Sequence, residues 1–281
     1  MIKIENLSFV YQKDMPDERE VLHNVNIEIA DKDIVAVIGH TGSGKSTLIQ
    51  HLNALLRPTS GRIWINGAEI TDPKANLKEV RKKVGMVFQY PEYQLFEETV
   101  AKDIAFGPKN MGLSEDEIQK RVHEAMDLVG LSHDLCERSP FELSGGQKRR
   151  AAIAGVLSMR PEILILDEPT AGLDPKGRDG LLQCIEDLHK NSDMTVIFVS
   201  HSMEEVARLA KNVIVMNDGS VFAKGSVSEI FSMGYELRKI GLNIPQVTQL
   251  ALMLRERGVD IRSDIYTVDF ATKTIAELMR K

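Results

Sequence analysis

Short apolar runs recur along the chain between stretches of helical period. Ile34-Val35-Ala36-Val37-Ile38 ends at Gly39, and Val84 to Phe88, Ile163 to Leu166, Val196 to Val199 and Val213 to Met216 have the same character. Runs this rich in Val and Ile, without period-two alternation, predict parallel strands covered on both faces. The N-terminal stretch differs: Ile2 and Ile4, then Val25, Ile27 and Ile29, alternate as antiparallel strands with one wet face do. Asn66-Gly67 and Asp218-Gly219 each separate short strands as hairpin turns. From about residue 95 to 160 the period becomes helical. Ser114 and Glu117 form a capping-box pair, Ile118, Val122, Ala125, Met126 and Val129 keep helical spacing, and Gly130 stops the helix. Beyond Ser226 the strand-helix rhythm is lost. Pro245 suits a first helical turn, Val247, Leu250, Ala251 and Leu254 make an apolar stripe, Gly258 ends it, and a last helix is expected over Thr274 to Met279. The pattern predicts an α/β fold: a core with an antiparallel β flank, an inserted helical subdomain and a small helical C-terminal extension.

Composition narrows what such a fold serves. The 281 residues, 43% hydrophobic and 27% charged, suit one large domain or a domain with an appendage. Cys136 and Cys184 lie far apart without metal-ligand spacing, which argues for a reducing compartment and against a disulfide scaffold or zinc site. A net charge of −6 gives no general attraction to phosphate backbones, so nucleic acid is not an expected partner. Met1 to Gln12 alternates like a strand, so no secretory leader is expected there. The longest apolar run, Ala151 to Leu157, is far short of the roughly 18 to 20 residues that span a bilayer. A soluble chain is expected, with any membrane role borrowed from a partner.

The chemistry gathers at the ends of the apolar runs. Gly39-His40-Thr41-Gly42-Ser43-Gly44-Lys45-Ser46 fits G-x-x-x-x-G-K-[ST] between a buried strand and a helix expected over Leu48 to Leu56. Its glycines let successive N–H groups turn inward around phosphate oxygens, Lys45 can reach the β- and γ-phosphates, Ser46 can ligate Mg²⁺, and Thr47 adds a donor at the helix start. The Ile163–Leu166 run ends in Asp167 and Glu168. Asp167 is placed to hold Mg²⁺ and Glu168 to accept a proton from attacking water. Leu143-Ser144-Gly145-Gly146-Gln147 precedes another helix, with Ser144 as its cap, and forms a second anion site. Two phosphate sites for one nucleotide make sense if two chains pair and each completes the other's site.

These motifs, in this order and spread over residues 1–225, resemble the nucleotide-binding subunit of an ATP-binding cassette (ABC) transporter, built on a P-loop NTPase core. The resemblance implies further roles. Tyr11 matches the aromatic residue that stacks on adenine, the alternative being a strand aromatic in the core beside Phe9. Gln89 matches the glutamine that touches Mg²⁺ and the attacking water and hinges a helical subdomain over about 90–160. Asp174, in Ala171-Gly172-Leu173-Asp174, matches the residue facing the partner's phosphate loop, and His201 the switch histidine at the γ-phosphate.

The stretch from Tyr90 to Val100, with Asp103-Ile104-Ala105-Phe106-Gly107-Pro108, is similar to the ATPases of energy-coupling factor (ECF) transporters, most of all the second (A-prime) of the two paralogues. That family implies ATP hydrolysis with Mg²⁺ and pairing with a paralogous ATPase, or with a second copy. It also implies a transmembrane scaffold, a substrate-binding membrane component and a peripheral place on the cytoplasmic face of the membrane. Glu92, Glu97 and Glu98 are then suitable partners for Arg side chains of the scaffold, the alternative being an ordinary solvated acidic loop. The tail over 226–281 would support subunit pairing, with Val247–Leu254 as interface or as the tail's own core. A conventional ABC importer ATPase and a cobalt or nickel uptake system remain alternatives. A soluble ABC ATPase of DNA or translation is disfavoured, because the interval from Lys45 to Asp167 leaves no room for a long coiled coil.

Overall fold

A computed structural model describes residues 1–279 of the chain. Ten strands form two sheets: β1 (Ile2–Tyr11), β2 (Arg19–Ile29), β3 (Ile34–Ile38), β4 (Ser60–Ile65), β5 (Ala68–Glu69), β6 (Val84–Val87), β7 (Ile163–Asp167), β8 (Thr195–Val199), β9 (Asn212–Asn217) and β10 (Ser220–Ser226). The helices are α1 (Lys45–Leu52), α2 (Leu77–Lys83), α3 (Val100–Asn110), α4 (Glu115–Leu128), α5 (Gly145–Leu157), α6 (Pro175–Asn191), α7 (Met203–Leu209), α8 (Val227–Ser232), α9 (Gly234–Lys239), α10 (Gln246–Glu256) and α11 (Val268–Met279).

The larger sheet has the order β10-β9-β3-β8-β7-β6, parallel from β9 to β6, with β10 antiparallel at its edge. The smaller sheet, β2-β1-β4-β5, is antiparallel. The two faces of the parallel strands explain why their sequences do not alternate with polar residues. Ile34, Ala36 and Ile38 enter the core under the helical layer, whereas Val35 and Val37 enter the core shared with β1, β2, β4 and α1. Strands β7, β8 and β9 divide their residues in the same way. Each Val, Ile or Leu so placed is worth roughly 1.5–3 kcal/mol on full burial.

Both hairpin dipeptides adopt the expected turn. Asn66 and Gly67 have φ of 50° and 79°, and Asp218 and Gly219 have 44° and 73°, the paired positive angles that let a two-residue turn follow the strand twist. Helices α3, α4 and α5 pack on one another and α5 packs on β6. Among the described residues four helices follow Ser226. Among the described residues no helix is long and apolar enough to cross a membrane.

Several local expectations need correction. Ser114 accepts from the Glu117 N–H at 3.4 Å, but the reciprocal half of the capping box is missing, because Glu117 Oε1 is held by Arg121 at 2.8 Å and Arg160 at 3.3 Å. The helix after the phosphate loop ends at Leu52 rather than Leu56, and the last helix starts at Val268 rather than Thr274. Pro245 stands just before α10 rather than in its first turn. Of the α10 stripe, Val247, Ala251 and Leu254 pack in the tail's own cluster with Ile261 and Ile265, whereas Leu250 is 44% exposed. Leu252, outside the stripe, is buried in the main core and joins the tail to it.

Candidate nucleotide site

The site is built on the carboxyl ends of adjacent parallel strands, where open α/β sheets place ligands. Residues 39–44 turn from β3 into α1, and Gly44 begins the helix with φ of 96°. A Cβ at Gly44 would lie 2.8 Å from Leu22 Cδ2, so conformation and space both require glycine. The Asp218–Gly219 hairpin supports the loop from beneath: Gly219 N–H donates to Ser43 O at 3.2 Å, and His40 Nε2 lies 3.5 Å from Asp218 Oδ1.

Lys45 is 5% exposed, and its Nζ donates to the carbonyls of Gly39 at 2.8 Å and His40 at 2.9 Å. An ammonium has three donors, so one remains for a ligand held in the loop. Burial pushes its pKa down, and Glu168 and Asp167 pull it back only in part. Asp167, at the end of β7, is 7% exposed, and its Oδ1 has no hydrogen-bond partner among the described residues. Burial pushes its carboxyl above the usual range, opposed by a hydrogen bond with Ser46. Ser43 Oγ is likewise buried and without a partner among the described residues. A cation without a full anion partner and a carboxylate without a full cation partner therefore lie within each other's field. Buried charges left open in this way call for a ligand that supplies the missing partners.

Glu168 follows in the left-handed region at φ 47°, a conformation that is strained for a glutamate and recurs at functional sites. Its two oxygens are bracketed: Gln89 Nε2 donates to Oε2 at 3.2 Å, and His201 Nε2 lies 2.9 Å from Oε1. Residues from three neighbouring strand ends thus meet around one carboxylate. Tyr11, at the end of β1, is partly exposed, meets Phe9 edge-to-face at 4.7 Å and has its hydroxyl 3.3 Å from Thr47 Oγ1. Phe9 is the core member of that pair, and Tyr11 presents the open ring. Thr41, Gly42 and Ser46 are exposed.

The Ser144–Gln147 loop lies elsewhere. Ser144 and Gln147 make a complete capping box at the start of α5, and Gly145 and Gly146 have open space where a side chain would stand. With Gly172, Leu173 and Asp174 they line a depression of about 820 Å³, and Lys45 is not among its lining residues. Asp174 accepts from Gly177 N–H at 2.6 Å and so caps α6. Within one chain the Ser144–Gln147 loop and the phosphate loop therefore do not share a pocket.

Two buried charges that no motif marks, Arg149 and Glu205, tie the segments around Glu168 together. Arg149 holds Glu92 through both nitrogen arms at 2.8–3.0 Å, which corrects the expectation that Glu92 is open to a partner's arginine. Glu98 is paired with Lys102, and only Glu97 of the three, half-buried, has a side chain without a hydrogen-bond partner among the described residues. The second buried charge is Glu205, which accepts from Thr170 Oγ1 at 2.8 Å and Ser200 Oγ at 2.8 Å, joining the turn after Glu168 to the turn before His201. A signal for Arg149 was present: with Ile153 and Leu157 it lies at four-residue spacing on the apolar face of α5.

A phosphate loop on a parallel sheet, with a carboxylate pair at the tip of the next strand but one, defines a P-loop nucleotide hydrolase. The family model described as ABC transporter matches residues 22–171, more than half of the chain. The chain is 57% identical over 279 residues to the energy-coupling factor transporter ATP-binding protein EcfA2 of Caldanaerobacter subterraneus, covering 99% of this chain and 98% of the relative. It is 58% identical over 281 residues to the EcfA2 protein of Clostridioides difficile, covering 99% and 98%. Among solved structures, cbiO1 from Clostridium perfringens, described as part of the ABC transporter complex cbiONQ, superposes with a TM-score of 0.76 at 39% identity, covering 89% of this chain and 97% of that one. The dimeric ATP-binding cassette MJ0796 bound to ADP and Pi superposes with a TM-score of 0.72 at 30% identity, covering 80% and 98%. The chain belongs to the ABC transporter ATPases and, within them, to the ATP-binding subunits of energy-coupling factor transporters.

Proposed function

We infer that this subunit binds and hydrolyses ATP to drive an ECF-type importer, powering uptake of a vitamin or other micronutrient at the cytoplasmic face of the membrane. The observation that carries the reading is the opposed pair of buried groups, Lys45 and Asp167, at the mouth of the phosphate loop. Ser46, Asp167 and Gln89 would hold Mg²⁺, which when bound neutralises charge on the β- and γ-phosphates. Among the described residues no cluster of three or more His, Cys, Asp or Glu groups could cage a metal alone, which suits an ion that keeps waters and phosphate oxygens as ligands.

In this reading the N–H groups of Gly39 to Thr47 cradle the phosphates, Lys45 turns its third donor to them, and Tyr11 stacks on the adenine. Glu168 takes a proton from the attacking water, while Gln89 and His201 fix its two oxygens and line the γ-phosphate position. The separate Ser144–Gln147 loop and Asp174 complete the site of a second chain, so that ATP closes a pair about a pseudo-twofold axis and hydrolysis reopens it. A paralogous ATPase is the favoured partner. Residues 1–225 form the cassette and 226–281 the pairing extension.

A groove of about 940 Å³ lies between α2, α3 and α5, with Phe96 meeting Phe106 edge-to-face at 5.1 Å and the side chains of Lys78, Arg81 and Lys82 along one wall. Exposed aromatics in a groove of this size suit a helix of the transmembrane scaffold, through which a substrate-binding membrane component would be served.

The test is Glu168→Gln. It should keep nucleotide binding and lose about 10²- to 10⁴-fold in single-cycle turnover. Rapid turnover by that variant would sink the assignment.

A further inference from the structure

Arg149 is 1% exposed, yet every hydrogen bond of its side chain ends on a segment outside its own helix. Its Nε and Nη2 donate to both oxygens of Glu92, in the 3-10 turn Pro91–Gln94 that follows Gln89. Its Nη1 donates to Pro169 O at 2.8 Å and Ala171 O at 2.7 Å, the carbonyls either side of Thr170. The guanidinium also lies 5.9 Å from the centre of the Tyr90 ring.

A buried ion pair is a weak device for stability, since apolar residues of similar volume often do as well. What the pair adds is geometry. The planar fork holds four oxygens of three groups in a fixed plane, a geometry that neither a lysine's point-like ammonium nor an apolar side chain reproduces. Here the acceptors belong to the turn that carries Glu168 and to the segment that leads from Gln89 into the Phe96 groove.

We propose that Arg149, with Glu92 as its counter-ion, is a positioning residue for ATP hydrolysis. It holds the 168–171 turn so that Glu168 keeps its left-handed backbone and its place between Gln89 and His201, and it makes that turn move together with the loop beside the groove. The proposal rests on the reading of Glu168 as the proton acceptor.

The experiment compares Arg149→Lys and Glu92→Gln with wild type in the assembled transporter, measuring kcat and KM for ATP and the thermal midpoint. Hydrogen exchange is followed at Ala171 and Leu173, whose amides donate to Glu168 O and Thr170 O at 3.1 Å. Both variants keep charge or shape at the site and should lose about 10- to 100-fold in kcat with KM unchanged. The two amides should exchange about tenfold faster. Unchanged kcat and exchange with only a lowered thermal midpoint would assign the pair to stability and overturn the proposal. Glu168→Gln, run alongside, separates the two readings. Turnover retained in that variant overturns both, whereas turnover lost there but kept in Arg149→Lys and Glu92→Gln overturns the positioning role alone.

Discussion

Two aspartates at opposite ends of the same parallel sheet behave differently. Asp33 stands at the amino end of β3 and is 6% exposed. Its Oδ1 accepts from Ile34 N–H at 2.9 Å and its Oδ2 from Asn212 Nδ2 at 2.7 Å. Nearby, Thr195 Oγ1 accepts from Lys32 N–H at 2.9 Å, so this end of the sheet is closed by its own residues. Asp167 stands at the carboxyl end of β7, equally buried, with Oδ1 unpartnered among the described residues. The contrast teaches where the molecule is finished by folding and where it is finished by a ligand. A buried polar atom left open is costly, and it persists where a substrate supplies the missing partner.

The largest effect that would sharpen this contrast is expected at Lys45. Lys45→Met should weaken nucleotide binding about 100-fold, near 2.7 kcal/mol, without lowering the stability of the nucleotide-free chain, because it removes a buried charge that folding alone does not fully pair. Equilibrium binding and thermal unfolding on one preparation check both halves. A marked loss of stability with affinity intact would erase the distinction between the two ends.

At the closed end the expectation reverses. Asp33→Ala should destabilise the chain by about 1–3 kcal/mol, since it strands the Asn212 amide and the Ile34 N–H in a buried place, and should leave nucleotide affinity unchanged. Denaturant unfolding with a binding titration decides it.

The smallest effect concerns Asp167 and pH. Burial raises its folded pKa above the unfolded value. The stability it contributes is therefore fully present below the unfolded pKa and is lost as pH rises through the folded one. Once ionised, the buried carboxylate destabilises the nucleotide-free chain. Asp167→Asn should then gain stability over wild type as pH rises through the folded pKa, with the difference closing as pH falls into the acid range. A difference that grows toward acid would reverse the sign and refute the account of Asp167.

Much of this was legible in the sequence for identifiable reasons. The parallel strands declared themselves because both their faces are buried, and the phosphate loop because its glycines and Lys45 leave few alternatives at that spacing. The carboxylates at 167 and 168 were visible at a strand tip. What sequence could not give was which acidic side chains are free. Glu92, Glu97 and Glu98 look alike along the chain, yet Glu92 is held by an arginine 57 positions away. Glu117 was assigned to its helix cap by local spacing but is drawn off by Arg121 and Arg160. The left-handed backbone at Glu168 also leaves no mark in a sequence, since glutamate carries no preference for it.

The most direct test of the central claim, that Lys45 and Asp167 are left open for a metal-bound nucleotide, is thermal unfolding with the β,γ-imido analogue of ATP, with and without Mg²⁺. The analogue alone should raise the thermal midpoint of both wild type and Asp167→Asn. Added Mg²⁺ should stabilise wild type further, by about 2.7 kcal/mol for a hundredfold gain in affinity, and should add little to Asp167→Asn. An equal Mg²⁺ increment in the two proteins would contradict the claim.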